Sequence, residues 1–328
     1  MRIDLLVLVA TSGVLAGCGG SEPEARDAQT AAAAPAPNLP AMIVAERGGF
    51  VPEGIEYDAA SGRLLVGSLP EGTIYQLHGD GRLTAVVTDA ELVSSVGIEV
   101  DAPRNRLLVA NADFRVFEGA GQGRAMLGAY DLATGARIAM VDLAAVIPNA
   151  PDQPPTVVGA PATYFANDVV ALPDGTAYVT DTSQNVIYRV TPDYQASVFH
   201  RFEPTEGLGL NGIVYHSAGY LLVAGGSVLY KVPLADPSAT SRVTLPEAVE
   251  GQDGMVWMSD GRLAIVSNSQ SRVVALTSSD GWATAQLAGV GAFTIQGTTA
   301  AVVGTDIYVV QPHFADQEPP SVERVTLR

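Results

Sequence analysis

Short runs of Val, Ile, Leu and Tyr alternate with turns of Gly, Asp, Asn and Ser along most of the chain, and no long stretch carries a helical period. The plainest case runs from Gly251 to Ser267. There Gln252-Asp253-Gly254-Met255-Val256-Trp257 passes through Ser259-Asp260-Gly261 into Leu263-Ala264-Ile265-Val266-Ser267: a strand, a tight Asp-Gly turn and a second strand. The pattern recurs. Glu53-Gly54-Ile55-Glu56-Tyr57-Asp58 leads to Arg63-Leu64-Leu65-Val66, and Val96-Gly97-Ile98-Glu99-Val100-Asp101 to Arg106-Leu107-Leu108-Val109. Asn167-Asp168-Val169-Val170 leads to Ala177-Tyr178-Val179-Thr180, and Asn211-Gly212-Ile213-Val214-Tyr215 to Leu221-Leu222-Val223. A weaker sixth copy opens near Thr298 and continues to Ile307-Tyr308-Val309-Val310.

The copies start at 53, 96, 167, 211, 253 and 298, so the steps are 43, 71, 44, 42 and 45 residues. Four steps match one four-stranded propeller blade, and the long one equals a blade plus roughly 28 residues. The expected fold is therefore all-β: a six-bladed β-propeller of four antiparallel strands per blade over 41–328. Third strands are legible at Ile74-Tyr75, Ala129-Tyr130, Ile187-Tyr188 and Leu229-Tyr230, where the recurrent Tyr reads as packing between blades. Met42-Ile43-Val44-Ala45 and Val322-Glu323-Arg324-Val325 are short strands at the two ends. Their pairing would close the ring, with the early strand outermost in the last blade.

The 28 extra residues fall at Asn111 to Arg124, between the second and third strands of blade two, and at Ala144 to Phe165, between blades two and three. In an up-and-down blade both loops cap the face on which the inner strands begin, and long loops on one face of a rigid scaffold are where function sits. Gly119-Ala120-Gly121-Gln122-Gly123 is glycine-rich, but no helix pattern follows it, so it reads as loop and not as a phosphate cradle.

Ahead of the propeller, Leu5 to Gly17 is an apolar run of 13 residues, too short to span a bilayer and suited to a signal sequence. It ends in Leu15-Ala16-Gly17-Cys18, which resembles the bacterial lipobox, in whose precursors the cysteine is acylated and becomes the mature N-terminus. The resemblance implies a lipoprotein signal over 1–17 and a lipidated Cys18. Residues 18–40, rich in Ala, Pro and acid, read as a flexible tether holding the propeller off a membrane. The expected place is the cell envelope, extracytoplasmic; Gly19, where an acidic residue is associated with inner-membrane retention, points to the outer membrane. Cys18 is the only cysteine, so no intramolecular disulfide is possible. With a net charge of −17 and one lysine, Lys231, the chain is unsuited to nucleic acid and reads as a monomer.

Inner strands line the central channel, so residues at their starts converge: Glu53, Val96, Asn167, Asn211, Asp253 and Thr298. Four of these, Glu53, Asn167, Asn211 and Asp253, carry the oxygen donors that Ca²⁺ prefers, and the two carboxylates match a divalent cation. No Cys or His is among them, which disfavours zinc and copper. Asn-Gly and Asp-Gly at these positions could also be turn chemistry alone. Asn111, Asp181, Asn268 and Gln311 end second strands on the same face, either as substrate contacts or as turn formers. His313, in the loop after the second strand of blade six, is either an acid/base group or an exposed loop residue.

Glu53-Gly54, Asn167-Asp168, Asn211-Gly212 and Asp253-Gly254 resemble the pattern of the senescence marker protein (regucalcin)/gluconolactonase family of calcium-dependent six-bladed propellers. Members of that family use a Glu, Asn, Asn, Asp order over those blades for a catalytic calcium. The resemblance implies a lactone or related ester as small-molecule substrate, calcium or another divalent cation as cofactor, Asp253 as general base or nucleophile, and Asp168 as a residue orienting the ligands. Blade two departs from the pattern, with Val96 where a polar residue can assist substrate. The rival reading is a non-catalytic propeller in which calcium stiffens the channel and the capping loops bind a ligand or envelope partner.

Overall fold

The computed structural model describes residues 38–147, 163–203, 209–316 and 318–328. The signal and tether readings, Cys18 included, and most of the Ala144 to Phe165 insertion lie outside them.

Six small antiparallel sheets succeed one another in chain order. Their inner strands are Ile55–Asp58, Ser94–Asp101, Tyr164–Ala171, Leu210–His216, Gln252–Trp257 and Ala300–Val303. Each packs against the next, and the sixth returns to the first, so the sheets form a closed six-bladed ring. The ring closes as expected. Met42–Val44 is the outermost strand of blade six and pairs antiparallel with Ser321–Val325, Met42 opposite Glu323 and Val44 opposite Ser321. Among the described residues the only helical segments are four short 3₁₀ turns.

The second strand of every blade reads as an unbroken apolar run because both of its faces are buried. Alternate side chains point to opposite neighbours. In Arg106–Ala112, Leu107 and Val109 pack with blade one while Leu108 and Ala110 pack with blade three. In Leu263–Ser267, Leu263 and Ile265 face blade four while Ala264 and Val266 face blade six. The core is accordingly six apolar wedges, one between each pair of neighbouring blades, with a seventh, smaller cluster of Leu69, Val96, Ala112 and Phe165. Tyr130, Tyr188 and Tyr230 are buried in three of these wedges and Tyr75 packs against a fourth, the role their recurrence indicated.

Candidate functional site

In blades two to five the ladder between inner and second strand slips at one place. The slips fall between Ser95 and Ile98, Ala166 and Val169, Leu210 and Ile213, and Gln252 and Met255. The extra residues in these bulges are Val96-Gly97, Asn167-Asp168, Asn211-Gly212 and Asp253-Gly254. A bulge bends the strand and re-aims a side chain, and here the re-aimed residues are those at the start of each repeat. Turn chemistry does not explain them: Asn167, Asn211 and Asp253 lie inside strands, and neither Gly212 nor Gly254 has positive φ. Glycine is needed for close approach instead. A Cβ on Gly212 would overlap the Asp253 carbonyl, and one on Gly254 would be driven into Thr299 of the next blade.

Glu53, Asn167 and Asp253 line a chamber of about 240 Å³ on the capped face. Glu53, Asn167 and Asn211 also line a chamber of about 360 Å³ that continues along the channel past Asp168. The four donors stand where the two chambers meet. Asn167, Asn211 and Asp253 are buried. Asn167 donates its amide nitrogen to Thr182 Oγ1 at 2.9 Å, leaving its oxygen as the end for a ligand. Asp253 Oδ2 accepts from Asn268 Nδ2 at 3.0 Å, and Gln296 Nε2 in turn donates to Asn268 Oδ1 at 2.5 Å. Asp253 Oδ1 is buried with no hydrogen-bond partner.

No Arg, Lys or His lines either chamber, and the carboxyls respond accordingly. Burial, opposed by the hydrogen bond from Asn268, pushes Asp253 up to about 7. Burial, then the charges of Asp253 and Asp168, hold Glu53 well above the usual carboxylate range. Asp168 is raised to about 7 by burial, although the backbone N–H groups of Val169 and Ile213 donate to its two oxygens at 2.9 and 3.0 Å. It therefore ties blade three to blade four beneath the donors. Among the described residues no three His, Cys, Asp or Glu side chains converge as a metal cage; the donor set mixes two carboxylates with two amides. A buried carboxylate oxygen without a donor, beside a second, half-buried carboxyl and two buried amides, fits a hard divalent cation.

Of the residues ending second strands, Asn268 alone lines a chamber. Asn111 is fully buried, accepts from Val93 N and donates to Glu91 O. Asp181 accepts from Phe165 N, Ser183 N, Gln184 N and the Tyr188 hydroxyl. Gln311 donates to Glu323 and accepts from Ser321. All three act as fasteners within or between loops. The reason is an offset of one residue. Asn111 and Asp181 pair opposite the residue preceding the bulge, as Ser267 does, whereas Asn268 is one position further. Its counterpart in blade three is Thr182, whose hydroxyl holds Asn167. His313 places Nδ1 3.0 Å from Asp316 Oδ1 and lines neither chamber, although its neighbour Phe314 does.

Sequence reasoning passed over three groups. Thr180 and Thr182 bind the backbone of the adjoining blade, at Asn211 O and Leu210 O, as Thr298 at the start of blade six does at Glu53 O. Their signal was the Thr on either side of Asp181. Glu56 and Glu99 occupy the same place in successive repeats and line the deeper chamber. Burial, partly offset by the Tyr57 N–H, pushes Glu56 up to about 7. Burial and the charge of Glu56 raise Glu99 well above its ordinary value. The third group is aromatic. Phe114, Phe117, Phe165 and Phe314 wall the capped chamber, and nothing local in the sequence connects them.

No protein-family model matches this chain, and no curated protein matches it. Solved structures do. The major allergen Mala s 1 of Malassezia sympodialis superposes with a TM-score of 0.73 at 16% identity, over 88% of this chain and 96% of that one. A calcium-binding regucalcin of Agrobacterium tumefaciens gives 0.59 at 17% identity, over 88% and 96%. Virginiamycin B lyase of Staphylococcus aureus gives 0.55 at 15% identity, over 83% and 80%. At such identities the likeness establishes a shared propeller architecture.

Proposed function

We propose that the protein is a calcium-dependent hydrolase of a lactone or related ester, acting where the two chambers meet. The observation that carries this reading is Asp253 Oδ1: a buried carboxylate oxygen with no donor, next to Glu53, in a channel with no cationic side chain along the two chambers. Glu53, Asn167, Asn211 and Asp253 would hold the ion through oxygen atoms; another divalent cation could take the same place. Bound there, calcium supplies Lewis-acid polarisation of the substrate carbonyl.

The chain's own residues do the rest. Asn268 fixes the Asp253 carboxylate through Oδ2, whose remaining lone pair takes a proton from the water attacking the carbonyl carbon, while Oδ1 is left for the ion. As the acyl C–O bond breaks, that proton passes to the leaving alkoxide. Thr182 fixes the orientation of the Asn167 amide, and Asp168 locks the strand that carries Asn211. We place the protein in the cell envelope as a monomer tethered through Cys18, with no role in nucleic-acid binding.

The test is hydrolysis of a small lactone panel with calcium and then with chelator. Calcium-dependent turnover that Asp253→Asn abolishes supports the hydrolase; turnover unchanged by that substitution removes Asp253 from the chemistry. The resemblance to calcium propellers also admits a binding protein without turnover. That reading gains if calcium raises the melting temperature while no lactone is consumed.

A further inference from the structure

The chamber on the capped face has a polar floor and apolar walls. Its floor carries Glu53, Asn167, Asp253, Asn268 and Thr298; its walls are Leu69, Val96, Phe114, Phe117, Phe165 and Phe314. Half of the chain's eight phenylalanines stand in this one place. They touch one another in series. Phe117 sits edge-on to Phe165 at 4.7 Å between ring centroids, Phe114 lies 5.9 Å from Phe117, and Phe314 stacks on Phe114 at 6.3 Å and 10°.

The array is built, not incidental. The insertion in blade two folds into a 3₁₀ turn, Phe114–Glu118, whose first turn is capped by Asp113 accepting from Arg115 N. Ser94 Oγ accepts from Phe114 N at 3.0 Å, pinning the turn to the start of the inner strand. Past the turn, Gly123–Arg124 pairs in parallel with Tyr164 and Phe165, so the insertion is stitched to the strand that carries the third ring. Even so, Phe117 remains 52% exposed and Phe314 38% exposed. Two rings held partly in water, Phe117 and Phe314, beside a polar floor gain free energy from an apolar group that covers them. A polyhydroxylated ring would instead lose water from each hydroxyl against walls that offer no partner, an unfavourable exchange.

We infer that the substrate carries an apolar alkyl or aryl substituent, seated on Phe114, Phe117, Phe165 and Phe314 while its carbonyl reaches the donors, and is not a sugar lactone. The carbonyl chemistry rests on the hydrolase reading; the recognition of an apolar group does not. The volume of about 240 Å³ falls a little below the span of about 300–1,000 Å³ for drug-sized ligands, which suits one small ring with a short chain.

The experiment uses the full-length chain with calcium and a series of γ-lactones bearing hydrogen, propyl, hexyl or phenylethyl, with gluconolactone as the polyhydroxylated comparison. Binding of the matching 3-substituted cyclopentanones, which cannot be hydrolysed, is measured in parallel by calorimetry. The expected result is a kcat/KM that rises about three- to fourfold per added methylene until the chamber is full, with gluconolactone poorest. Phe117→Ala should narrow the hexyl-to-hydrogen ratio about tenfold, and Phe117→Leu should restore part of it. Gluconolactone turned over as well as the hexyl lactone, or a flat series, overturns the inference and leaves the hydrolase standing. No turnover with ketone affinity that rises along the series and falls in Phe117→Ala supports the apolar site while removing the hydrolase. Neither turnover nor ketone binding overturns both.

Discussion

Asp253→Asn gives the sharpest test because its effect should change sign with calcium. Without a cation, the carboxyl is pushed from 3.8 up to about 7 by burial. An acid whose folded value lies above its unfolded value destabilises the fold increasingly as pH rises between the two, here from about 4 to about 7. One pKa unit corresponds to about 1.4 kcal/mol, so above pH 7 the ceiling on this cost is about 4 kcal/mol. The amide removes the charge, keeps an oxygen for Asn268 and relieves Glu53, whose carboxyl Asp253 also disfavours from ionising. Its new N–H₂ needs an acceptor, which trims the gain to about 1–3 kcal/mol. In chelator at pH 8 the variant should therefore be more stable than the wild type, and the difference should vanish near pH 4. With calcium at about a thousand times its Kd the wild type gains about 4.1 kcal/mol and the variant much less, so the order reverses. Urea unfolding followed by fluorescence of Trp257 and Trp282, whose rings meet at 5.6 Å, reads both conditions. A variant less stable than wild type in chelator at pH 8 refutes the argument from buried charge. Equal stabilisation of both proteins by calcium refutes Asp253 as a ligand.

Other substitutions test neighbouring parts of the argument. Glu56, raised from 4.5 to about 7, makes the cation-free fold lose stability as pH climbs through that window; Glu56→Gln should flatten the loss and gain up to about 3 kcal/mol at pH 8, measured by urea unfolding across pH. Gly212→Ala should cost about 1–3 kcal/mol through the clash with the Asp253 carbonyl and weaken calcium binding by calorimetry, since it parts the strands bearing Asn211 and Asp253. Ile43, 1% exposed in the strand that closes the ring, should cost about 2–4 kcal/mol as Ile43→Ala. That loss should appear equally with and without calcium, which separates ring closure from the metal site. Thr182→Val should cost about 1–3 kcal/mol in urea unfolding, since Leu210 O and the Asn167 amide both lose the hydroxyl, and should also weaken calcium binding by calorimetry, because the Asn167 amide loses the partner that orients it.

By itself the sequence determined the propeller, the number of its blades and four oxygen-bearing side chains that open its repeats and line its channel. Strand period and repeat spacing are local properties: Leu107-Leu108-Val109 is apolar at every position because a blade lies on each side. The donors were legible because they open successive repeats, and the bulges kept that register. Only the tertiary structure decided what surrounds them. Asn111, Asp181 and Asn268 read alike along the chain, yet a one-residue offset buries the first two as fasteners and brings the third onto Asp253. Glu56 and Glu99 came to repel each other only when two blades placed them in one channel lined by no Arg, Lys or His. Phe114, Phe165 and Phe314 are scattered along the sequence, and their common wall arises from ring closure, which sets the first blades beside the last. Periodicity fixes which face of a strand is buried; it carries no information about which distant segment will meet that face.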